Sequence, residues 1–471
     1  MEALIAIAAL AGLVWAALFV LRVPLPIACL IFLITSCCCG KYFFEGPAGL
    51  TVDRLMLVLV VGTFFVRRGM NWHEPKPVGR ADYLLGAFFA WLVIRTFTSD
   101  FMAKANEPND VTAPWHLTVG YVTPLLIYWI ARQGSLTEKI VNKLHVGLVL
   151  FGGYLAVTGL LESIGAWGLV FPRYIADPEI GIHFGRVRGP MVQSARFGTY
   201  LIICLAATWM MLMWRKRLGR TGQLLMVGML PLYLLIVART YTRSIWMGTG
   251  LAALIILGLT LRGRWRPVVV GYLVVAALLV AFMKRDSLVA FQRDNRKASI
   301  TRESTYMRAA FAYVSWQMFT EKPLVGFGFN QFPIQSKNYL ADRSTDIQLE
   351  TIRGYIHHNT FLSILVDTGL IGFALFLSVL IGCINCAWKL WRDPDAPEWA
   401  RAHGLVHLVA MAAYSVQLSF REVSYSPVEN GMICLLAGVT IGLRAKLAAG
   451  ASRPVTRPAP TSWNWQPVPS A

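Results

Sequence analysis

Apolar runs alternate with polar segments along almost the whole chain. The runs, most of them about 15 to 25 residues long, occupy 3–21, 24–39, 50–66, 82–97, 117–131, 144–161, 197–214, 222–238, 244–261, 267–283, 359–388, 403–419 and 431–444. An α-helix needs about 20 such residues to cross a hydrocarbon core, and inside that core the backbone must satisfy its own hydrogen bonds. The pattern therefore predicts an all-α fold: a polytopic transmembrane helical bundle of about 12–14 spans. The first two runs are divided only by the turn from Arg22 to Pro24, and count as two spans or as one bent unit. A long polar stretch, 284–357, interrupts the alternation and is expected to hold short helices outside the membrane. Residues 1–448 read as one membrane domain, with no separate soluble domain. The remainder, 449–471, is rich in Pro, Ser and Thr and reads as a disordered cytoplasmic tail. Residues 1–21 lack a basic leader and a small-residue cleavage site, so they are read as a retained span.

Composition agrees. Hydrophobic residues make up 56% of the chain and charged ones only 15%, against roughly 25% in soluble domains. The net charge of +19 would suit a nucleic-acid partner, yet no nucleic-acid motif accompanies it. The distribution gives a better account. Arg67 and Arg68, Arg132 with Lys139 and Lys143, Arg215 to Arg217, Arg262 to Arg266, Lys389 with Arg392 and Arg401, and Arg444 with Lys446 fall in every second loop. The positive-inside rule places those loops in the cytoplasm. The alternate loops, 98–116, 162–196, 239–243, 284–357 and 420–430, must then face outward. They mix Arg with Asp, Glu, His and aromatic residues, which is the composition of a site and not of a topology signal. The eight cysteines form no CxxC pair, so neither a disulfide framework nor a metal site is expected. His403 and His407 share a helix face at a metal-like spacing, but no acidic or cysteine partner stands near them in sequence.

The outward loops hold the candidate chemistry. Arg186, Arg188 and Arg196 precede one span, and Arg239 and Arg243 bracket a tight turn between two others. Arginines near span ends commonly snorkel to headgroups, but a set of them on the outer face also suits a phosphate, which guanidinium groups bind bidentately. The long loop adds Arg293, Arg296, Arg302 and Arg308, followed by a glycine turn from Pro323 to Phe329. No strand precedes that turn and a third glycine is missing, so it is not a dinucleotide fingerprint. His357 and His358 close the loop. An imidazole at a membrane surface is a candidate proton acceptor, and cationic neighbours favour its neutral form. Asp367, inside the next apolar run, has three roles open to it: pairing with an arginine, tuning the histidine, or capping a helix contact.

These stretches together resemble the O-antigen ligase/polymerase superfamily of bacterial envelope glycan enzymes. His358-Asn359, nine residues, then Gly369 and Gly372 match the ligase signature, although Phe373 stands where a small residue is usual. Thr240 to Trp246 looks like the Thr-x-Ser-Arg-x-x-Trp stretch, with Thr242 in place of serine; Arg186 to Pro190 resembles the Arg-x-x-Gly segment, and Pro323 to Phe329 the Pro-Leu-x-Gly-x-Gly segment. The resemblance implies a metal-independent, inverting glycosyltransferase without cofactor, working on the periplasmic side of the bacterial inner membrane. It would pass a glycan from undecaprenyl pyrophosphate to a lipid or glycan acceptor. By similarity His358 is the general base or an acceptor-positioning group. Arg243, with Arg186, Arg188, Arg302 and Arg308 as further candidates, holds the pyrophosphate, and Asn359, Gly369 and Gly372 support the site. Ligase, polymerase and protein oligosaccharyltransferase share these motifs; the ligase signature favours the first, with an exopolysaccharide polymerase second. A transporter or flippase is the rival of another class, but it should show internal repeats and polar residues at mid-membrane, and neither stands out.

Overall fold

A computed structural model describes residues 12, 14–46, 49–72, 75–103, 111–213, 219–261, 263, 266–268, 271 and 298–451, with side chains in the last stretch from 306 to 449. Twelve helices carry the architecture: α1 (Leu25–Cys38), α2 (Val52–Gly69), α3 (Arg80–Phe97), α4 (Thr123–Gln133), α5 (Glu138–Ser163), α6 (Ser194–Met213), α7 (Arg220–Arg239), α8 (Arg243–Thr260), α9 (Ala298–Glu321), α10 (Thr360–Arg392), α11 (Glu398–Phe420) and α12 (Pro427–Ala451). Among the described residues the only strand-like pairing is an isolated bridge from Glu45 to Thr51. The expected all-α polytopic bundle is what forms. Among the described residues six helices are long and apolar enough to cross a membrane: α5, α6, α7, α8, α10 and α12. Other runs also become helices, but α1 is short, and α2 and α3 carry charged ends. The runs at 3–21 and 267–283 and the 449–471 tail lie wholly or largely outside the described residues.

The core forms where α4 packs along α12 and α10 along α11, with α8, α6 and α5 completing the bundle. One end of it is tied by buried polar contacts. Arg132 pairs with Asp82 at 2.7 Å, and Lys446 donates to the Leu136 carbonyl. His403 and His407 also lie inside the bundle, where His403 meets His145 (3.3 Å) and the Leu436 carbonyl, and His407 meets Thr440 (2.9 Å). Their helix spacing therefore serves interhelical packing. The opposite end gathers the start of α8, the start of α10 and the end of α11.

The long polar loop holds short helices, as expected, at 332–335, 336–339 and 349–352. It also holds the 24-residue α9, and α9 packs against α10 through its own small apolar core around Phe311, Val314 and Met318. The loop is anchored where α10 breaks. At Gly369 the backbone turns to φ 66°, ψ −171°, a conformation that a side chain strains to adopt. The break orphans backbone groups, and the Pro323–Gly328 turn satisfies them. Phe327 N donates to Val366 O (3.0 Å) and Gly328 N to Asp367 O (2.8 Å), while Leu370 N and Ile371 N donate to the Pro323 and Leu324 carbonyls. Trp91 Nε1 takes the Thr368 carbonyl at 3.0 Å. A Cβ on Gly372 would stand 2.7 Å from Trp91 Cδ1, so this glycine admits the indole of α3. Two separated sequence motifs are thus the two halves of one joint.

Candidate active site

A cavity of about 450 Å³ opens at the end of the bundle where α8, α10 and α11 converge. Its lining includes Arg186, Arg243, Arg308, Arg421, His358 and Glu422. Each side chain is set by local structure. Arg243 is the first residue of α8, beyond a turn closed by Thr240 Oγ1 donating to Val237 O (2.7 Å) and Trp246 Nε1 to the same carbonyl (3.1 Å). Arg308 projects from α9 with its guanidinium 5.5 Å from the centre of the Phe420 ring. Partial burial, and after it the Arg243 charge, lowers the pKa of Arg308 from its ordinary value. Two cations thus feel one another across the cavity, and a polyanion between them relieves that repulsion.

The two histidines have opposite tautomers. Asn359 N donates to His357 Nδ1 at 3.0 Å, so His357 carries its proton on Nε2 and gives it to Ser315 Oγ at 2.6 Å. His357 is buried, and burial pushes its pKa down to about 3; it is a neutral strut. His358 Nδ1 lies 3.1 Å from the Ile356 carbonyl, which can only accept. The proton is therefore on Nδ1, and Nε2 is the basic atom. Phe311 holds both rings at 5.1 Å, stacking on His358. Asn359 caps α10 by accepting from Leu362 N (3.1 Å) and ties it to α11 by donating to Ser419 O (3.1 Å). It supports the site from the backbone side.

A polar layer lies beneath. Arg421 is ion-paired with buried Glu429, whose other oxygen is 3.6 Å from Arg196 Nε. Ser244 Oγ and Arg421 Nε both donate to Gln417 Oε1, at 3.1 and 3.3 Å. Glu422 Oε1 accepts from Ser424 N at 2.9 Å, and burial raises the pKa of this carboxyl while its hydrogen bonds oppose the shift.

Arg186, Arg243, Arg308 and His358 therefore converge as the sequence suggested. Arg188 does not join them. It is fully buried in the 162–196 loop, donating to the carbonyls of Ile175 (3.1 Å) and Asp177 (2.6 Å), with Nε 3.9 Å from Glu162. Burial lowers its pKa, and Glu162 and Asp177 oppose that shift. Its role here is to hold the loop that carries Arg186. The Arg302 side chain lies outside the described residues. Gly369 and Gly372 sit at the α10 joint, away from the cavity lining. Asp367 takes the third of its open roles: Oδ2 accepts from Asn330 N at 2.9 Å and secures the turn into the 332–335 helix. Sequence reasoning missed Arg421 and Glu422, although they fall in the 420–430 loop whose mixed charge was the available signal.

Residues 229–377 match the family model described as O-antigen ligase. The match supports the O-antigen ligase superfamily. Its span holds Arg243, Arg308, the Pro323–Gly328 turn, His358 and the Gly369 break, while Arg186 and Arg421 reach the same cavity from outside it. No curated protein matches the chain. Among the described residues no group of three His, Cys, Asp or Glu is placed to hold a metal ion.

Proposed function

We propose that the chain is an O-antigen ligase-like membrane glycosyltransferase. Its donor is a glycan on undecaprenyl pyrophosphate, and its acceptor is a hydroxyl of lipid A core or a similar molecule at the outer face of a bacterial inner membrane. The observation that carries this reading is one cavity lined by both His358, whose Nδ1 proton is taken by the Ile356 carbonyl, and four arginines.

His358 Nε2 accepts the proton of the acceptor hydroxyl as its oxygen forms a bond to the anomeric carbon. The bond from that carbon to the diphosphate oxygen breaks, and its electron pair leaves with the diphosphate. Attack opposite the leaving group inverts the anomeric centre. General-base help of this kind contributes roughly 10²–10⁴ in rate. Charge grows on the diphosphate as the bond breaks, so fixed cations stabilise the transition state more than the bound donor. Each charge-assisted contact contributes about 1.5–3 kcal/mol. Arg243, Arg308 and Arg186 line the cavity for that work, and Arg421 is anchored through Glu429.

Glycan transfer by the purified protein in liposomes tests this. Transfer from an undecaprenyl-pyrophosphate glycan to lipid A core, with inversion, is expected. Elongation of the donor glycan alone assigns a polymerase, and retention at the anomeric centre contradicts the mechanism.

A further inference from the structure

A second, smaller cavity of about 130 Å³ adjoins the first, and Arg186 belongs to the lining of both. Its walls come from the end of α5, the loop that follows, and the turn after α7. Val187 N donates to the Arg239 carbonyl at 3.3 Å and joins loop to turn. The lining includes Glu162, Ser163, Trp167, Arg239 and Tyr241. Trp167 is backed by Phe184, with ring centres 5.2 Å apart and planes 21° from parallel. Glu162 is 5% exposed; its Oε2 accepts from the backbone N–H groups of Arg188 and Gly189, and its Oε1 accepts no hydrogen bond. Nothing in the mechanism above uses these groups.

Two of them suit parts of a sugar. An indole backed by a second ring offers a rigid flat face to the C–H side of a pyranose. Glu162 Oε1 is shut off from solvent and faces Arg188 Nε at 3.9 Å, so it balances that guanidinium and leaves the sugar to the other groups. The one carboxylate of the lining is balanced by Arg188, so the Arg239 charge calls for an anion. At about 130 Å³ the cavity is many times the roughly 10–15 Å³ that one water needs on this measure, a size on the scale of one sugar ring. We infer that this cavity is a glycan subsite for a single pyranose bearing a carboxylate, held by Trp167 and Arg239, with Arg186 shared between its lining and that of the transfer site. Its part in glycan transfer rests on the function proposed above; its binding of the sugar does not.

The test uses the full-length protein in nanodiscs and two soluble probes, glucuronosyl-β-1,4-glucose and its neutral counterpart cellobiose. Calorimetry is expected to show the acid bound roughly tenfold or more tighter than the neutral sugar, the effect of one charge-assisted contact. Arg239→Gln, at an exposed position, removes that preference. Trp167→Ala weakens both sugars together, whereas Trp167→Phe largely keeps them. Equal binding of the two probes by the unaltered protein, or an unchanged preference in Arg239→Gln, overturns the subsite. Transfer assays then locate the sugar's source. A loss in Arg239→Gln confined to an acidic donor assigns the ring to the donor glycan, and a loss confined to an acidic acceptor assigns it to the acceptor. Acid binding that depends on Arg239 in a preparation that transfers nothing supports the subsite and contradicts the transferase reading.

Discussion

Gly369→Ala separates architecture from chemistry at the family signature. The glycine holds φ 66° with ψ −171°, a region almost confined to glycine, and an L residue there costs about 1–3 kcal/mol. Its new Cβ would lie 2.3 Å from the Leu324 carbonyl carbon and oxygen, which are backbone atoms of the docked turn and cannot swing aside. The turn must lift, and with it the hydrogen bonds from Leu370 N to Pro323 O and from Ile371 N to Leu324 O. Losing those two adds about 1–3 kcal/mol, for a total of about 2–6 kcal/mol. Thermal unfolding of the purified protein in detergent, followed by tryptophan fluorescence, should show a midpoint lowered by several degrees. At low temperature the folded fraction retains transfer, because neither Gly369 nor the 323–328 turn lines the cavity. An unchanged midpoint with transfer abolished would refute the reasoning and place the glycine in the chemistry.

Three further outcomes follow from the same geometry. His357 protonates near pH 6.5 when unfolded and only at about 3 when folded, so the unfolded state binds the extra proton between those values. Its contribution is complete above 6.5 and is lost as pH falls, by up to about 1.4 kcal/mol per pH decade; a melting series from pH 7 to 4 should show the decline, and His357→Asn should flatten it. Arg243→Ala and Arg308→Ala should each lower kcat/KM by about 10–150-fold, mostly in kcat, because the diphosphate charge develops in the transition state; steady-state kinetics reads the split. Glu429→Gln removes the carboxylate that pairs with Arg421 and Arg196. Both arginines keep some solvent access, so the loss should sit near the low end for a broken buried pair, about 3 kcal/mol, measurable as a drop in the same unfolding midpoint.

Much of this was legible in the chain because hydrophobic period and loop charge act locally. The all-α bundle follows from run length, and the partition of unusual loop chemistry to one face brought Arg186, Arg243, Arg308 and His358 together before any coordinates. What the sequence hid depends on partners distant along the chain. Arg186 and Arg188 are two residues apart and alike in type, yet Glu162 receives the backbone N–H of Arg188 from 26 positions away and draws that residue into the loop. Gly369 reads as part of a catalytic motif only until the Pro323–Gly328 turn is seen filling the break it makes. The two histidines look equivalent as a pair, and only Asn359 N and the Ile356 carbonyl distinguish strut from base.

The most direct test of the central claim is transfer from an undecaprenyl-pyrophosphate glycan to lipid A core in liposomes containing EDTA, comparing the unaltered protein with His358→Ala and His357→Asn. Transfer that survives EDTA, falls by roughly 10²–10⁴ in His358→Ala and persists in His357→Asn at neutral pH is the predicted result. Full activity in His358→Ala would contradict it.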